Sequence, residues 1–287
     1  MKLDVKYNEL NKVLKFAATK DRTVILTTLN EAWAAPNSVL DLFLESFRIG
    51  NNTTWLLNHL LVIALDDKAY ARCQIASLVS HCYFLQTNRS SELAGPANFM
   101  TPNYLDLLWK RLAFLQNVLE LGYNFIFTDA DVMWFRDPFP YFTIDSDLQT
   151  SCDQFNGKES DLKNHPNNGF IFVRSNNRSI EFYKIWVSSR KLYPGLHEQD
   201  VFNKIKDGVI PKVGLKVRFI STEVFGGFCS PSRDFSKVCT MHANCCVGLD
   251  RKIQDLNTTL EDWKHYFYTN HTISHSSHWR VPKQCHM

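Results

Sequence analysis

Asp129 and Asp131 stand one residue apart in the stretch YNFIFTDADVMWFRDPF, which runs from Tyr123 to Phe139. Apolar and aromatic residues lead into the pair, and Ala130 between them has no bulk to hold a ligand off. Along an extended chain, residues two apart point the same way. Two carboxylates on one side repel each other unless a cation joins them. Hard oxygen donors of this kind suit Mg²⁺ or Mn²⁺, ions that keep several waters and bridge to substrate phosphates. The chemistry indicated is a divalent metal holding a diphosphate. Capping of a helix or turn is the other use of such aspartates. A second Asp-x-Asp, Asp145-Ser146-Asp147, lacks the small middle residue and the apolar setting, and reads as a solvated turn or strand edge.

Positioning that pair requires a scaffold, and the chain alternates as one should. TVILTT (Thr23–Thr28) is a β-branched run of the kind found in buried strands. NSVLDLFLESFRIG follows, with Leu40, Phe43, Leu44 and Phe47 at helical spacing, Asn37 or Ser38 as N-cap and Gly50 past the end. LLVIALD (Leu60–Asp66) is a further strand, and YLDLLWKRLAFLQNVLELG is a long helix that stops at Gly122. NFIFTDAD, GFIFVRS (Gly169–Ser175) and KVRFIS (Lys216–Ser221) read as strands, with a helix at SIEFYKIWVSSRKLY. Strand and helix in alternation mean βαβ units and a mostly parallel sheet. In such sheets the ligand sits beyond the carboxyl ends of the strands, which is where Asp129 and Asp131 fall. No internal repeat or low-complexity linker divides the chain, so a single domain over residues 1–287 is expected.

Composition bounds the alternatives. The 287 residues are 45% hydrophobic, enough for one large core. Basic and acidic residues number 32 and 29, for a net charge of +3, with no basic run; nucleic acid is not an expected partner. No run of 18 apolar residues occurs, and the charged N-terminus MKLDVKYNELNKVLKFAATK reads as a short amphipathic helix rather than a signal peptide. Eight cysteines form no C-x-x-C pair, which argues against a zinc ribbon. Six Asn-x-Ser/Thr sequons, at Asn51, Asn52, Asn88, Asn177, Asn257 and Asn270, together with an even cysteine count, point to an oxidising secretory compartment. Buried thiols in a cytosolic protein are the alternative. Cys229 and Cys239 bracket a short polar loop and are a candidate disulfide pair.

The segment FIFTDADVMWFRDPF resembles the Asp-x-Asp segment of plant-type nucleotide-diphospho-sugar transferases, a group that includes rhamnogalacturonan xylosyltransferases and extensin arabinosyltransferases. VILTTLNEAWAAPNSVLDLFLESFRIG, HLLVIALDDKAYARC, NNGFIFVRS, HEQDVFN and MHANCCVGLDRK resemble blocks of that family in the same order. The resemblance covers about residues 20–255 and leaves 256–287 as a C-terminal extension. It implies a GT-A-like fold, a single Rossmann-like domain with helices flanking the sheet, a UDP-sugar donor, Mn²⁺ (or Mg²⁺) dependence and retention of anomeric configuration. A more distant similarity links the chain to retaining galactosyltransferases and glycogenin.

Roles for individual residues follow from the motif and the resemblance together. Thr27, Thr28 and Asn30, after the first strand, offer donors and acceptors to a uracil or ribose edge; an ordinary polar turn is the alternative. Arg111, on the helix before the Asp-x-Asp strand, is expected to face the donor, whereas Lys110 has Asp106 as an i,i+4 partner. Asn167 is placed against a sugar hydroxyl, beside Gly169, where backbone can approach closely; Asn-Gly is otherwise a common turn pair. Gln199 matches a glutamine near the reacting face of the sugar, with Asp200 and Glu198 as ionisable neighbours; a helix start rich in acidic residues is the alternative. His242 is the expected third metal ligand beside Asp129 and Asp131, with Gly248 and Lys252 at the diphosphate. His271, His275 and His278 are assigned to a surface tail.

The reading is a metal-dependent glycosyltransferase that moves a sugar from a UDP-sugar to a hydroxyl of a glycan or glycoprotein acceptor, in plant cell-wall polysaccharide or glycoprotein synthesis. The Golgi lumen is the expected location, with membrane attachment only through an N-terminal anchor absent from this chain. The alternatives are a non-catalytic carbohydrate-binding or scaffolding protein of the same fold, and a glycoside hydrolase, whose two carboxylates come from separate segments and need no metal.

Overall fold

The computed structural model describes residues 2–75, 79–85, 100–269 and 279–285. Asn88, Asn270, His271, His275 and His278 lie outside the described residues. A helix, α1 (Lys2–Ala17), precedes β1 (Thr23–Leu29), which leads through the short α2 (Glu31–Ala34) into α3 (Val39–Ile49). β2 (Leu60–Ala64), α4 (Asp67–Cys73), β3 (His81–Phe84), α5 (Pro102–Glu120) and β4 (Asn124–Thr128) follow. Then come β5 (Val132–Trp134), β6 (Leu148–Gln154), β7 (His165–Val173), α6 (Asn177–Ser188), α7 (Glu198–Val213), β8 (Val217–Phe219), β9 (Phe225–Gly227), β10 (Thr240–His242) and α8 (Leu249–Tyr268).

The main sheet has the order β3-β2-β1-β4-β7-β6-β8. Parallel pairing joins β3, β2, β1 and β4, and also β6 and β8. β7 runs antiparallel to both of its neighbours, β4 and β6, so the expected parallel run breaks there. This mostly parallel, helix-flanked sheet is the α/β, GT-A-like class expected. Its central strands β1, β2 and β4 are mainly apolar because both faces are covered. Ile25, Val62 and Ile126 join one core with Phe43 and Phe47 of α3 and Trp263 of α8. Val24, Leu61 and Phe125 join the opposite core with Leu112 of α5, Trp186 of α6 and Phe202 of α7.

The expected boundaries of α3 and α5 hold, whereas α6 (Asn177–Ser188) stops five residues short of Tyr193. α3 has Ser38 and Gly50 at its caps, and α5 ends just before Gly122, whose φ of +80° suits glycine. Asn37 has a φ of +62° and stands before the cap. The strands not anticipated, such as β6 and the short β9 and β10, are polar or only three residues long and lack a clear hydrophobic period. Asp147 departs from the solvated reading: it is 4% exposed and held by Arg178, Asn176 and the Lys216 backbone N–H.

A second sheet, β5-β10-β9, lies against the first. Trp134 of β5 is fully buried, stacks on Phe47 at 4.6 Å and donates to Thr128 Oγ1 at 3.2 Å, which rivets the small sheet to the end of β4.

Three disulfides form: Cys73–Cys82, Cys229–Cys245 and Cys246–Cys285. The expected Cys229–Cys239 pair does not. Cys239 enters β10 with its side chain in the core, where its thiol meets the Arg136 carbonyl, and Cys229 reaches instead across to Cys245. Cys239 and Cys152 are free and buried. The sequon asparagines Asn51, Asn52, Asn177 and Asn257 are exposed. No helix among the described residues is long and apolar enough to cross a membrane.

Candidate active site

β1 and β4 are parallel neighbours, so their carboxyl ends open on the same edge of the sheet. A cleft of about 530 Å³ lies there. Asp129 and Asp131 emerge from the end of β4, and chain pairing brings the third member of the cluster to them. β10 runs antiparallel to β5 with His242 opposite Val132, and the Ala243 N–H donates to the Asp131 carbonyl at 3.0 Å. Ligand atoms of Asp129, Asp131 and His242 consequently lie within 4.8 Å of one another.

Two cations brace the carboxylates from behind. Arg111, 7% exposed on α5, donates to Asp129 Oδ1 at 2.8 Å and to Glu198 Oε1 at 2.7 Å. Its guanidinium also lies over the Phe127 ring, 4.6 Å from the centroid. Lys252, one turn into α8, donates to Asp131 Oδ2. Asp131 Oδ1 stands 3.2 Å from His242 Nε2, yet it accepts no hydrogen bond from any described residue.

The charges tune one another. Burial pushes the Asp131 carboxyl up, but Lys252 and the His242 imidazole outweigh that and hold it well below the usual carboxylate range. Burial pushes the Asp129 carboxyl up as well; Arg111 opposes this, the Asp131 charge adds to it, and the net shift is upward. Burial would lower the His242 pKa, but Asp131 and Asp129 together raise it. A cation bound here would compete with a proton for the imidazole nitrogen.

These residues fit a divalent metal. Two carboxylates and an imidazole are a donor set for Mn²⁺, and one carboxylate oxygen is buried with no donor of its own. The 3.2 Å between Asp131 Oδ1 and His242 Nε2 is near the roughly 3 Å between adjacent ligands of a six-coordinate ion with bonds of about 2.1 Å. Gly169 leaves the space open: a Cβ there would lie 2.4 Å from His242 Cε1 and 2.8 Å from Asp129 Oδ2.

The cleft gathers most of the residues singled out from the sequence. Thr28, Asn30, Arg111, Asn167, Gln199, Gly248 and Lys252 line it beside the Asp129–Asp131–His242 trio. Thr27 does not. Side chains alternate along β1, so Thr28 faces the cleft and Thr27 faces away, fully buried, its hydroxyl without a partner among the described residues. Asp200 does not line it either. Successive residues of α7 turn by about 100°, so Glu198 and Gln199 face the cleft while Asp200 turns out, 45% exposed beside His197 at 3.3 Å. Gly248 has a φ of +106° at the start of α8. Asp153 and Asn244 also line the cleft; Asp153 belongs to none of the blocks singled out, Asn244 lies in MHANCCVGLDRK without having been assigned a role, and their hydrogen bonds mark them.

The fold and this cluster define a nucleotide-sugar transferase class of protein, and sequence comparison agrees. The family model of nucleotide-diphospho-sugar transferases matches residues 55–256, so the chain belongs to that family of glycosyltransferases. It is similar to an uncharacterized protein of Arabidopsis thaliana, 49% identical over 280 residues, covering 96% of this chain and 73% of that protein. It is also similar to the Arabidopsis thaliana UDP-D-xylose:L-fucose alpha-1,3-D-xylosyltransferase 3, 27% identical over 192 residues, covering 57% of this chain and 50% of that one. Among solved structures, a glycosyltransferase involved in the glycosylation of the major capsid of PBCV-1 superposes with a TM-score of 0.47 at 14% identity, over 82% of this chain and 98% of that one.

Proposed function

We propose that the protein is a metal-dependent glycosyltransferase that moves a sugar from a UDP-sugar to a hydroxyl of a glycan or glycoprotein, with retention of configuration. The observation that carries this reading is the Asp129–Asp131–His242 cluster at the end of β4, with one carboxylate oxygen unpartnered. These three residues would hold Mn²⁺ or Mg²⁺, which when bound offsets negative charge on the departing diphosphate. Arg111 keeps Asp129 in place, and Lys252 does the same for Asp131 while adding positive charge at the cleft. Thr28 and Asn30 line the β1 side of the cleft, where a nucleotide edge would lie. The bond between the sugar's C1 and the diphosphate oxygen breaks, the acceptor oxygen bonds to C1 from the same face, and the acceptor's proton leaves with the diphosphate. A UDP donor is supported by the donor named for the xylosyltransferase relative. Three disulfides support an oxidising compartment, and the Golgi lumen is the location we assign. Synthesis of plant cell-wall polysaccharide or glycoprotein is the matching role.

Thermal unfolding with UDP, in the presence and absence of Mn²⁺, tests the site. UDP should raise the melting temperature only when Mn²⁺ is present. A panel of UDP-xylose, UDP-arabinofuranose and UDP-galactose, followed by Mn²⁺-dependent hydrolysis, then finds the donor. Failure of UDP to stabilise the protein with Mn²⁺ overturns the reading; stabilisation without turnover of any donor makes it a binding module.

A further inference from the structure

A second polar cluster lines the same cleft, with one carboxylate at its centre. Asp153, at the end of β6, accepts hydrogen bonds from three amide side chains. Its Oδ1 takes Asn167 Nδ2 and Asn244 Nδ2, both at 2.7 Å, and its Oδ2 takes Gln199 Nε2 at 3.3 Å. The three amides come from β7, the segment after β10 and the first turn of α7. The opposite end of each amide is held by a backbone N–H. Gly169 N donates to Asn167 Oδ1 at 2.8 Å, Cys229 N to Asn244 Oδ1 at 3.0 Å, and Asn168 N to Gln199 Oε1 at 3.0 Å.

The polarity of this ring is dictated by the carboxylate. An ionised Asp153 can only accept, so each amide must turn its NH₂ inward. A flipped amide would set carbonyl against carboxylate and NH₂ against backbone N–H. One N–H of each amide goes to Asp153, and no described residue takes the other. The carbonyl of Gln199 accepts from the Asn168 backbone N–H. The cleft wall here therefore offers amide N–H groups and the remaining lone pairs of Asp153, a surface suited to hydroxyls.

The ring touches the metal cluster through Gly169. A Cβ at that position would lie 2.8 Å from Asn167 Oδ1, as well as close to His242 and Asp129. Gly227 makes room in the same way for Asn244, whose Oδ1 would be 2.3 Å from an added Cβ. Asp153 is also tied by its backbone, since Ser230 Oγ donates to its carbonyl at 2.7 Å.

We propose that Asp153 is the positioning residue for the sugar half of the cleft: it orients the amides of Asn167, Asn244 and Gln199, while the Asp129–Asp131–His242 trio serves the diphosphate half. The assignment of halves rests on the nucleotide-sugar reading above; the orienting role does not.

Asp153→Asn, nearly the same size, is the test. Calorimetry should find Mn²⁺–UDP affinity within about twofold of the unsubstituted protein, while turnover of the UDP-sugar falls by about 10–100-fold, the usual cost of losing an orienting partner. Side-chain amide NMR gives a readout independent of activity. The NH₂ protons of Asn167, Asn244 and Gln199 should exchange slowly with solvent in the unsubstituted protein and rapidly in the variant, with the backbone spectrum otherwise unchanged. Unaltered amide exchange overturns the orienting role. Equal losses of UDP affinity and UDP-sugar turnover, with a lowered melting temperature, reduce Asp153 to a structural residue. Gln199→Ala removes one arm of the ring and carries the same comparison of UDP with UDP-sugar should Asp153→Asn not fold. If the unsubstituted protein neither binds UDP nor turns over any UDP-sugar, the nucleotide-sugar reading fails, and amide exchange still decides the orienting role.

Discussion

Asp131 and Asp147 each close an Asp-x-Asp, and each is nearly buried, at 2% and 4% exposure. Asp147 has every side-chain lone-pair direction answered. Its Oδ1 accepts from Arg178 Nη2 at 2.7 Å and Asn176 Nδ2 at 2.8 Å, and its Oδ2 from Arg178 Nε at 2.7 Å and Lys216 N at 2.9 Å. It staples α6 and the start of β8 to the start of β6. Asp131 has Lys252 on one oxygen and no donor on the other. Asp129 leans on Arg111, whereas Asp145 is exposed. A carboxylate that is fully bonded holds the fold together. One that is buried and left partly unbonded, beside a second carboxylate and an imidazole, is placed to bind something. The spacing alone does not distinguish the two.

Conservative substitutions should separate the pairs. Asp131→Asn removes a buried charge from the cluster, and sugar transfer in a steady-state assay should fall by about 10²–10³-fold, the usual cost of one preorganised charge stabiliser. A variant that transfers sugar normally would dissolve the contrast. Asp147→Asn should do the reverse. Its new NH₂ would face the donors of Arg178 and Asn176, so urea unfolding should report a loss of about 1–2 kcal/mol, trimmed because Arg178 is half exposed. Transfer at low temperature should be unaffected.

Acid sharpens the second half of the comparison. Burial pushes the Asp147 carboxyl up, but Arg178, the Lys216 N–H and Asn176 outweigh it, and the folded pKa lies below the ordinary value. A lowered folded pKa contributes stability that is present above the unfolded pKa, near 3.9, and is lost as pH falls through the folded one. The difference in melting temperature between the unsubstituted protein and Asp147→Asn should therefore be constant from neutral pH down to about 4 and close below it. A gap that persists at lower pH would mean the charge contributes nothing. The smallest effect belongs to Thr27→Val. The buried hydroxyl has no partner among the described residues, so the isosteric change should stabilise by roughly 0.5–1 kcal/mol and leave transfer unchanged. A loss of transfer would return Thr27 to the cleft.

Local pattern revealed the scaffold and half the site. The apolar runs within β1, β2 and β4 announce strands because a strand covered on both faces is mainly apolar. The helical spacing of Leu40, Phe43, Leu44 and Phe47 places α3, and the apolar lead-in to Asp129 and Asp131 marks a strand end. Glycine after α5 reflects backbone geometry confined to a few neighbouring residues, the positive φ of Gly122. The family resemblance added His242, Lys252 and Gln199, which no local rule singles out from other polar residues.

Tertiary pairing decided the rest. His242 reaches Asp131 because β10 pairs with β5, two strands of three residues each with no periodicity to read. The partner of Cys229 was settled by which thiol the fold brings near, and Cys239 was turned into the core instead. Asp153 looks like one polar residue in LQTSCDQ until three distant amides converge on it. Secondary structure is written in residues that are neighbours along the chain. Hydrogen-bond satisfaction depends on atoms brought together from far apart, so whether a carboxylate is a staple or a ligand is known only once the chain has folded around it.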